Sequence, residues 1–123
     1  MEEKMAGFRD LKVWQRAKKI AVEIYRLTQC GSIAKDFGFK DQIRRSALSI
    51  PCNIAEGDER ATNKEAIYYF YVAKGSLAEL QTQLEIAFEI EYIEKSTMLQ
   101  LLDECTVIGK MLGSLIKARS NNK

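Results

Sequence analysis

The chain has 123 residues, of which 46% are hydrophobic and 29% are charged, with a formal net charge of +2. This length suits one domain with one core, and the composition excludes a disordered chain. Histidine is absent from the sequence, which removes the commonest general base and the usual metal ligand. We therefore predict a single domain over residues 1–123, with no catalytic site, metal or other cofactor.

The first predicted helix runs from about Asp10, a candidate N-cap, to Thr28. Its apolar residues recur at steps of three and four, which line one face of a helix. The opposite side carries four basic residues, here called the basic stripe: Lys12, Arg16, Lys19 and Arg26. Cations at such spacing suit the phosphates of RNA or single-stranded DNA, but a solvated helix face has the same pattern. Both interpretations stay open.

The second predicted helix begins near Asp36 or Asp41 and ends near Gly57, with Pro51 inside it. A proline removes one backbone hydrogen bond and pushes against the carbonyl four residues earlier, so we predict a kink. On the same helix, Arg44 and Arg45 could bind RNA beside the basic stripe or pair with acidic residues of the third helix.

Short polar side chains surround the proline, and we expect them to satisfy the backbone groups that it loosens. A catalytic interpretation would need a base and a positioned nucleophile, whereas a structural one needs only polar partners. We therefore interpret this part of the helix as a structural motif consisting of Ser49, Pro51, Asn53, Glu56 and Gly57.

The third predicted helix opens with the capping-box pattern Thr62 to Glu65 and runs to about Ile90. Its apolar seam repeats in steps of four and three: Ala66, Phe70, Ala73, Leu77, Leu80, Leu84 and Ala87. Gly75, in the middle, predicts a close contact with another helix. Further apolar positions beside the seam predict an oligomer: Tyr69, Val72, Ile90 and Ile93. Five glutamates make the C-terminal half acidic: Glu79, Glu85, Glu89, Glu91 and Glu94.

The fourth predicted helix opens with a second capping-box pattern, Thr97 to Gln100, and ends near Arg119. Gly109 and Gly113 share one face of this helix and predict a close approach of a neighbouring backbone. Four helices joined by short loops predict an all-α fold, an antiparallel up-and-down four-helix bundle.

The N-terminus is charged, and the sequence contains no apolar run long enough for a membrane span. The three cysteines, Cys30, Cys52 and Cys105, are odd in number and widely spaced, which fits reduced thiols that pack as small apolar residues. We therefore expect a cytoplasmic protein without membrane contact.

Three segments together carry a resemblance to a known family. They are DQIRRSALSIPCNIAEG at residues 41–57, closed by Arg60, FRDLKVW at residues 8–14, and AKGSLAEL at residues 73–80. This combination closely resembles the four-helix-bundle proteins encoded in intervening sequences of bacterial 23S ribosomal RNA genes. Cys52 departs from the pattern, in which we expect a small residue such as serine.

The resemblance implies a ring-shaped homopentamer in a family whose biochemical role is poorly defined. A related branch, the accessory proteins of diversity-generating retroelements, has a similar fold and a basic surface and associates with nucleic acid and a reverse transcriptase. The charge asymmetry of this chain is small, because residues 1–60 carry 12 basic and nine acidic side chains and residues 61–123 carry seven and eight.

Two function classes therefore remain. One is a non-enzymatic oligomer that binds RNA or single-stranded nucleic acid through the basic stripe, aided by Arg44 or Arg45. The other is an oligomeric protein–protein adaptor that binds no nucleic acid.

Overall fold

The structure is a computed structural model that describes residues 7–121. A 3-10 turn, Phe8–Asp10, leads into α1. The helices within the described residues are α1 (Lys12–Leu27), α2 (Ser32–Lys35), α3 (Phe37–Asp58), α4 (Asn63–Glu89) and α5 (Lys95–Asn121). The four long helices confirm the four predicted ones, and α2 is one additional turn in the loop after α1.

The long helices form an antiparallel up-and-down bundle in the order α1, α3, α4, α5 around its axis. Short connections reverse the chain between consecutive long helices. The bundle closes where α5 returns beside α1, with Leu11 near Leu115 at one end and Leu27 near Leu101 at the other. The predicted fold is therefore confirmed.

One contiguous apolar core joins α1, α3, α4 and α5. Every residue of the predicted α4 seam is buried in it, and Phe70 is the largest of the fully buried side chains. Of the extra apolar positions on α4 and after it, Ile93 is buried in the core, whereas Ile90 remains exposed. Of these two apolar residues outside the seam, Ile90 is therefore accessible to a second copy and Ile93 is not.

Two of the predicted helix starts are confirmed by their caps. The Thr62 hydroxyl accepts a hydrogen bond from the backbone N–H of Glu65 at 3.2 Å, and Asn63 begins α4. Asp36 caps α3 in the same way, because its Oδ1 accepts from the N–H of Phe39 at 3.1 Å. Each side chain satisfies a donor that the first turn leaves free.

Two other predicted starts are wrong. Asp10 is not an N-cap, because it lies in the 3-10 turn and α1 begins at Lys12 after Leu11, which makes no side-chain cap bond. Thr97 lies inside the first turn of α5, which begins at Lys95. The start of α1 is held instead by packing of the Phe8 ring against Trp14, with ring centres 5.1 Å apart.

The glycines differ in their surroundings. A Cβ at Gly109 would lie 3.3 Å from Leu77 Cδ2, so α4 and α5 approach closely there, but one at Gly113 would meet nothing within 4 Å. At Gly75 a Cβ would also meet nothing within 4 Å, so the close contact predicted there is not made within the described chain.

Of the three free cysteines, only Cys105 packs in the core, and Cys30 and Cys52 are exposed. The prediction that all three act as small apolar residues therefore holds for Cys105 alone. Burial, helped by the nearby charge of Glu104, raises the pKa of Cys105 to about 12, which keeps this thiol neutral. None of the helices described in residues 7–121 combines the length and apolarity that crossing a bilayer requires.

Candidate nucleic-acid interface

The basic stripe lies on the solvent side of α1. The opposite face of this helix packs in the core through five buried residues: Val13, Ala17, Ile20, Ala21 and Ile24. All four stripe residues are exposed. Because α1 is continuous and rises ~1.5 Å per residue, Lys12 and Arg26 stand about 21 Å apart along it. This spacing is compatible with several phosphates of one strand, and binding through it stays a prediction.

The middle of the stripe borders a cleft between α1 and α5, about 230 Å³ in volume. Its lining includes Arg16, Lys19, Glu23 and Glu104. Arg16 Nη1 lies 3.5 Å from Glu104 Oε2, and both side chains are partly exposed. The two cations and two carboxylates cancel in formal charge. The positive potential of the stripe is therefore weakest at its centre, although an exposed pair of this length is itself weak.

Arg44 is held in the contact between α1 and α3. Its Nε donates to the hydroxyl of Thr28 at 2.7 Å, and its Nη2 donates to the carbonyl of Tyr25 at 3.1 Å. The guanidinium also stands over the Tyr25 ring, 4.5 Å from its centre. These contacts satisfy the C-terminal end of α1, where carbonyls lack helical partners. A role of Arg44 on nucleic acid stays a prediction, and it would require these contacts to be given up.

Arg45 points to solvent on the next position of α3. Within residues 7–121, neither Arg44 nor Arg45 pairs with a carboxylate, so the predicted pairing with the acidic part of α4 is not made inside this chain. Sequence reasoning missed Lys18, which lines a groove between α1 and α3 together with Arg26. The sequence could have indicated Lys18, because it directly precedes Lys19 of the stripe and lies on the side of α1 that meets α3.

The motif around the proline forms the contact between α3 and α4. Helix α3 continues through Pro51, which is buried, and the kink predicted there stays a prediction. Asn53 Nδ2 donates to both the carbonyl and the hydroxyl of Ser49, each at 2.8 Å, and Ser76 on α4 donates to the same hydroxyl at 2.8 Å. Asn53 thus bonds the carbonyl of Ser49 rather than that of Ala47, the one the proline frees.

At the end of the motif, Gly57 packs against Phe70 of α4, and Glu56 forms an ion pair with Arg60 one turn later. The helix was predicted to end near Gly57, and α3 ends one residue later, at Asp58. The hydroxyls and the amide have their partners within the motif or on α4, and the surface ion pair has its partner, Arg60, in the loop between α3 and α4. The motif joins two helices and holds no nucleophile next to a general base.

Among residues 7–121, no three Cys, Asp or Glu side chains come together as a metal ion would require. The candidate site consists of the basic stripe on α1 and Arg45 on α3, and all of these residues are exposed.

The sequence profile of the family described as 23S rRNA-intervening sequence protein matches residues 9–114. The chain belongs to this family. It is also similar to a crystal structure of a protein with unknown function from the S23 ribosomal protein family of Bacteroides thetaiotaomicron. The two share 29% sequence identity with a TM-score of 0.78, over 85% of this chain and 98% of the other. No curated protein matches the chain significantly.

The family match spans the proline motif, the basic stripe and most of α5. In this member of the 23S rRNA-intervening sequence proteins, a further polar contact pins the start of α3 to the turn between α4 and α5. The Tyr92 hydroxyl donates to Asp36 Oδ2 at 2.7 Å. This bond, and then the bond from the Phe39 N–H, lowers the pKa of Asp36 below 3.8, and the bond to Asp36 raises the pKa of Tyr92 above 10.0.

Replacing Tyr92 by phenylalanine should make the protein less stable at neutral pH, by an amount that depends on pH. A lowered carboxyl pKa gives stability that is present above the unfolded value of about 3.9 and lost as pH falls through the folded pKa. A raised tyrosine pKa gives stability that is lost as pH rises through the folded value, above 10. Urea unfolding of both proteins at about pH 3, 7 and 10.5 measures the difference. The same difference at all three values would contradict the coupling.

Proposed function

We propose that this family member is a non-enzymatic protein that works by assembly: its exposed helix faces bind protein, first of all further copies of itself. The observation that carries this proposal is a set of large apolar side chains left in solvent, which includes Val22 on α1 and Leu48 on α3, both lining one groove, and Ile86 with Ile90 at the end of α4. Scattered single exposures are ordinary, but grouped ones characterise interaction surfaces. A ring of five copies is the arrangement that the family resemblance implies.

Light scattering coupled to size-exclusion chromatography tests self-assembly. A monomer has a mass of 14.0 kDa, and five copies would have a mass of about 70 kDa. We expect a mass of several copies at micromolar concentration, decreasing on dilution only if the contact is weak. A mass near 14 kDa at the highest attainable concentration would contradict the proposal.

The free thiols of all three cysteines support a reducing compartment, and we propose the cytoplasm.

Binding of RNA or single-stranded nucleic acid is the second candidate. Its support is the exposure of all four basic-stripe residues on one helix, with Arg45 exposed on the neighbouring one. One copy presents few charges, but an assembly repeats the stripe, and several modest sites on one strand raise the overall affinity. Pairing of Arg16 with Glu104 lowers the charge available in each copy, which is why assembly ranks first.

Reversing two charges of the stripe, with Arg16→Glu and Lys19→Glu, tests this second candidate. If the stripe binds phosphates, affinity for single-stranded RNA should fall, and the slope of log affinity against log salt should decrease by about one to two units. The matched control is Lys110→Glu with Lys117→Glu, which makes the same change in charge at exposed positions of α5. Equal losses in both variants would indicate net charge alone, and no binding by the wild type at low salt would leave assembly as the function.

A further inference from the structure

An apolar groove with a cationic rim lies between α1 and α3. Its volume is about 350 Å³, and it is lined by Lys18, Ala21, Val22, Tyr25, Arg26, Gln29, Leu48 and Pro51. Three of these apolar side chains are well exposed: Val22 at 41%, Tyr25 at 37% and Leu48 at 47%. Lys18 and Arg26 supply positive charge, and this lining of described residues includes no carboxylate. We call this feature the α1–α3 groove.

The outer side of α4 near its C-terminal end has the opposite charge. Ile86 and Ile90 are exposed at 44% and 47%, and Glu85 and Glu89 beside them are exposed as well. Neither glutamate forms an ion pair within the described part of the chain. Glu85 and Glu89 are four positions apart, as are Ile86 and Ile90, so the two pairs form adjacent rows on the outer side of the helix. We call them the acidic α4 face.

The placement of these glutamates is unfavourable for an isolated chain. A helix C-terminus carries partial negative charge, so acidic side chains there are disfavoured and basic ones are preferred. The last turn of α4 contains no basic residue, and Glu89 is its final residue. A sequence that breaks a local rule without a gain in its own fold commonly does so at a functional surface. A cationic partner would reverse the sign of the effect.

The two surfaces cannot meet within one chain. Helices α1 and α4 occupy diagonal corners of the bundle, since each packs on α3 and α5 but not on the other. We infer that the acidic α4 face of one copy docks in the α1–α3 groove of a second copy, so that the chain assembles through a head-to-tail contact. This inference rests on the self-assembly proposed above, and it names the two surfaces that make the contact.

The two surfaces are complementary both in apolar character and in charge. Two isoleucines would cover the apolar floor of the groove, and two glutamates would meet the cations on its rim, neither of which forms an ion pair within residues 7–121. A contact between two different faces leaves a free groove and a free α4 face on the outer copies, so it continues to a closed ring or a filament. Arg16 and Lys19 border α5 rather than α3, so the contact leaves the centre of the basic stripe open.

Charge reversal on each surface tests the contact. Lys18→Glu with Arg26→Glu makes the groove acidic, and Glu85→Lys with Glu89→Lys makes the α4 face basic. Each double variant then has two like-charged surfaces. We expect the concentration at half-dissociation, measured by light scattering, to rise roughly tenfold or more in each, because like charges across an interface are strongly unfavourable. Circular dichroism verifies that both variants stay folded.

Variants in which opposite charges are restored distinguish a failure of this contact from a failure of self-assembly itself. The chain with all four changes has an acidic groove and a basic α4 face, so it should assemble as the wild type does. An equal mixture of the two double variants pairs opposite charges only where the variants alternate, so it should assemble more readily than either variant alone, in chains or rings with an even number of copies. A monomeric wild type would overturn self-assembly itself. An oligomeric wild type that neither double variant weakens would overturn only this contact, and so would two weakened variants that neither combination restores.

A matched pair of leucines tests the apolar part. Leu48 in the groove and Leu99 on α5 are equally exposed, at 47% each. Leu48→Glu should raise the concentration at half-dissociation, because it buries a carboxylate in the contact. Leu99→Glu should leave that concentration unchanged. Equal effects, or none in either, would place the contact elsewhere on the molecule.

Discussion

Gly57→Ala should destabilise the protein by about 1–3 kcal/mol, because the close contact between α3 and α4 has no room for a methyl group. A Cβ at this position would lie 2.7 Å from Phe70 Cε1 and 2.9 Å from the backbone oxygen of Ala66. Phe70 is fully buried and the Ala66 oxygen belongs to the α4 backbone, so neither neighbour can move without shifting the helix. Urea unfolding followed by circular dichroism measures the change.

Gly113→Ala provides the matched control, because it makes the same chemical change inside a helix where a Cβ would meet nothing within 4 Å. An alanine there should stabilise the protein by roughly 0.5–1 kcal/mol, since glycine loses more backbone entropy on folding. The two substitutions are therefore expected to differ in sign. Stabilisation by Gly57→Ala would mean that α4 shifts away readily and that the contact is not tight.

The contrast between these glycines shows what local sequence can indicate. Gly57 follows a helical pattern and so predicted a stop, and α3 does end one residue later, at Asp58, but the pattern does not show what the glycine packs against. The reason for the glycine is Phe70, 13 positions later and on another helix. Periodicity identified the four long helices and the α4 seam because burial alone sets the spacing of apolar residues. It says nothing of which small residue meets which ring.

The helix caps also show that local sequence does not determine where every helix begins. The patterns at Thr62 and Thr97 are equivalent in sequence, but only Thr62 caps a helix. Before α5 the chain makes a tight turn, in which Glu91 adopts a left-handed φ of 65° and the Tyr92 N–H donates to the Ala87 carbonyl at 2.8 Å. This turn places Ile93 in the core and lets α5 begin at Lys95. The geometry of the connection, and not the capping pattern, determined the start.

For the candidate interface, the sequence located the cations but not their partners. Arg16 pairs with Glu104, and Arg44 binds Thr28 and Tyr25, and these partners lie on helices that only the fold brings together. The basic stripe is therefore not a uniformly positive surface, because carboxylates lie beside its central residues. The unfavourable glutamates of α4, by contrast, are visible in sequence as acidic residues at a helix end, and only their exposure had to come from the structure.

Arg44→Met should destabilise the protein by about 1.5–3 kcal/mol, the range for hydrogen bonds to a charged group. Methionine keeps the apolar length of the side chain, but it removes the donor to the Thr28 hydroxyl at 2.7 Å and the donor to the Tyr25 carbonyl at 3.1 Å. Thr28 is completely buried, so water cannot replace the lost partner without opening the contact between α1 and α3. Stacking on the Tyr25 ring is lost as well.

Arg45→Met is the control, because the adjacent arginine is exposed and forms no ion pair within the described residues. Its effect on stability should stay within about 0.5 kcal/mol. Arg44→Lys should recover only part of the loss, since an ammonium cannot reproduce the planar fork that reaches both oxygens. Chemical denaturation of the three variants, with RNA titrations on those that fold, separates the two arginines. Unchanged stability in Arg44→Met would free this residue for nucleic acid, whereas a loss confined to Arg44 assigns it to the fold and leaves Arg45 as the arginine of this pair that is available to a partner.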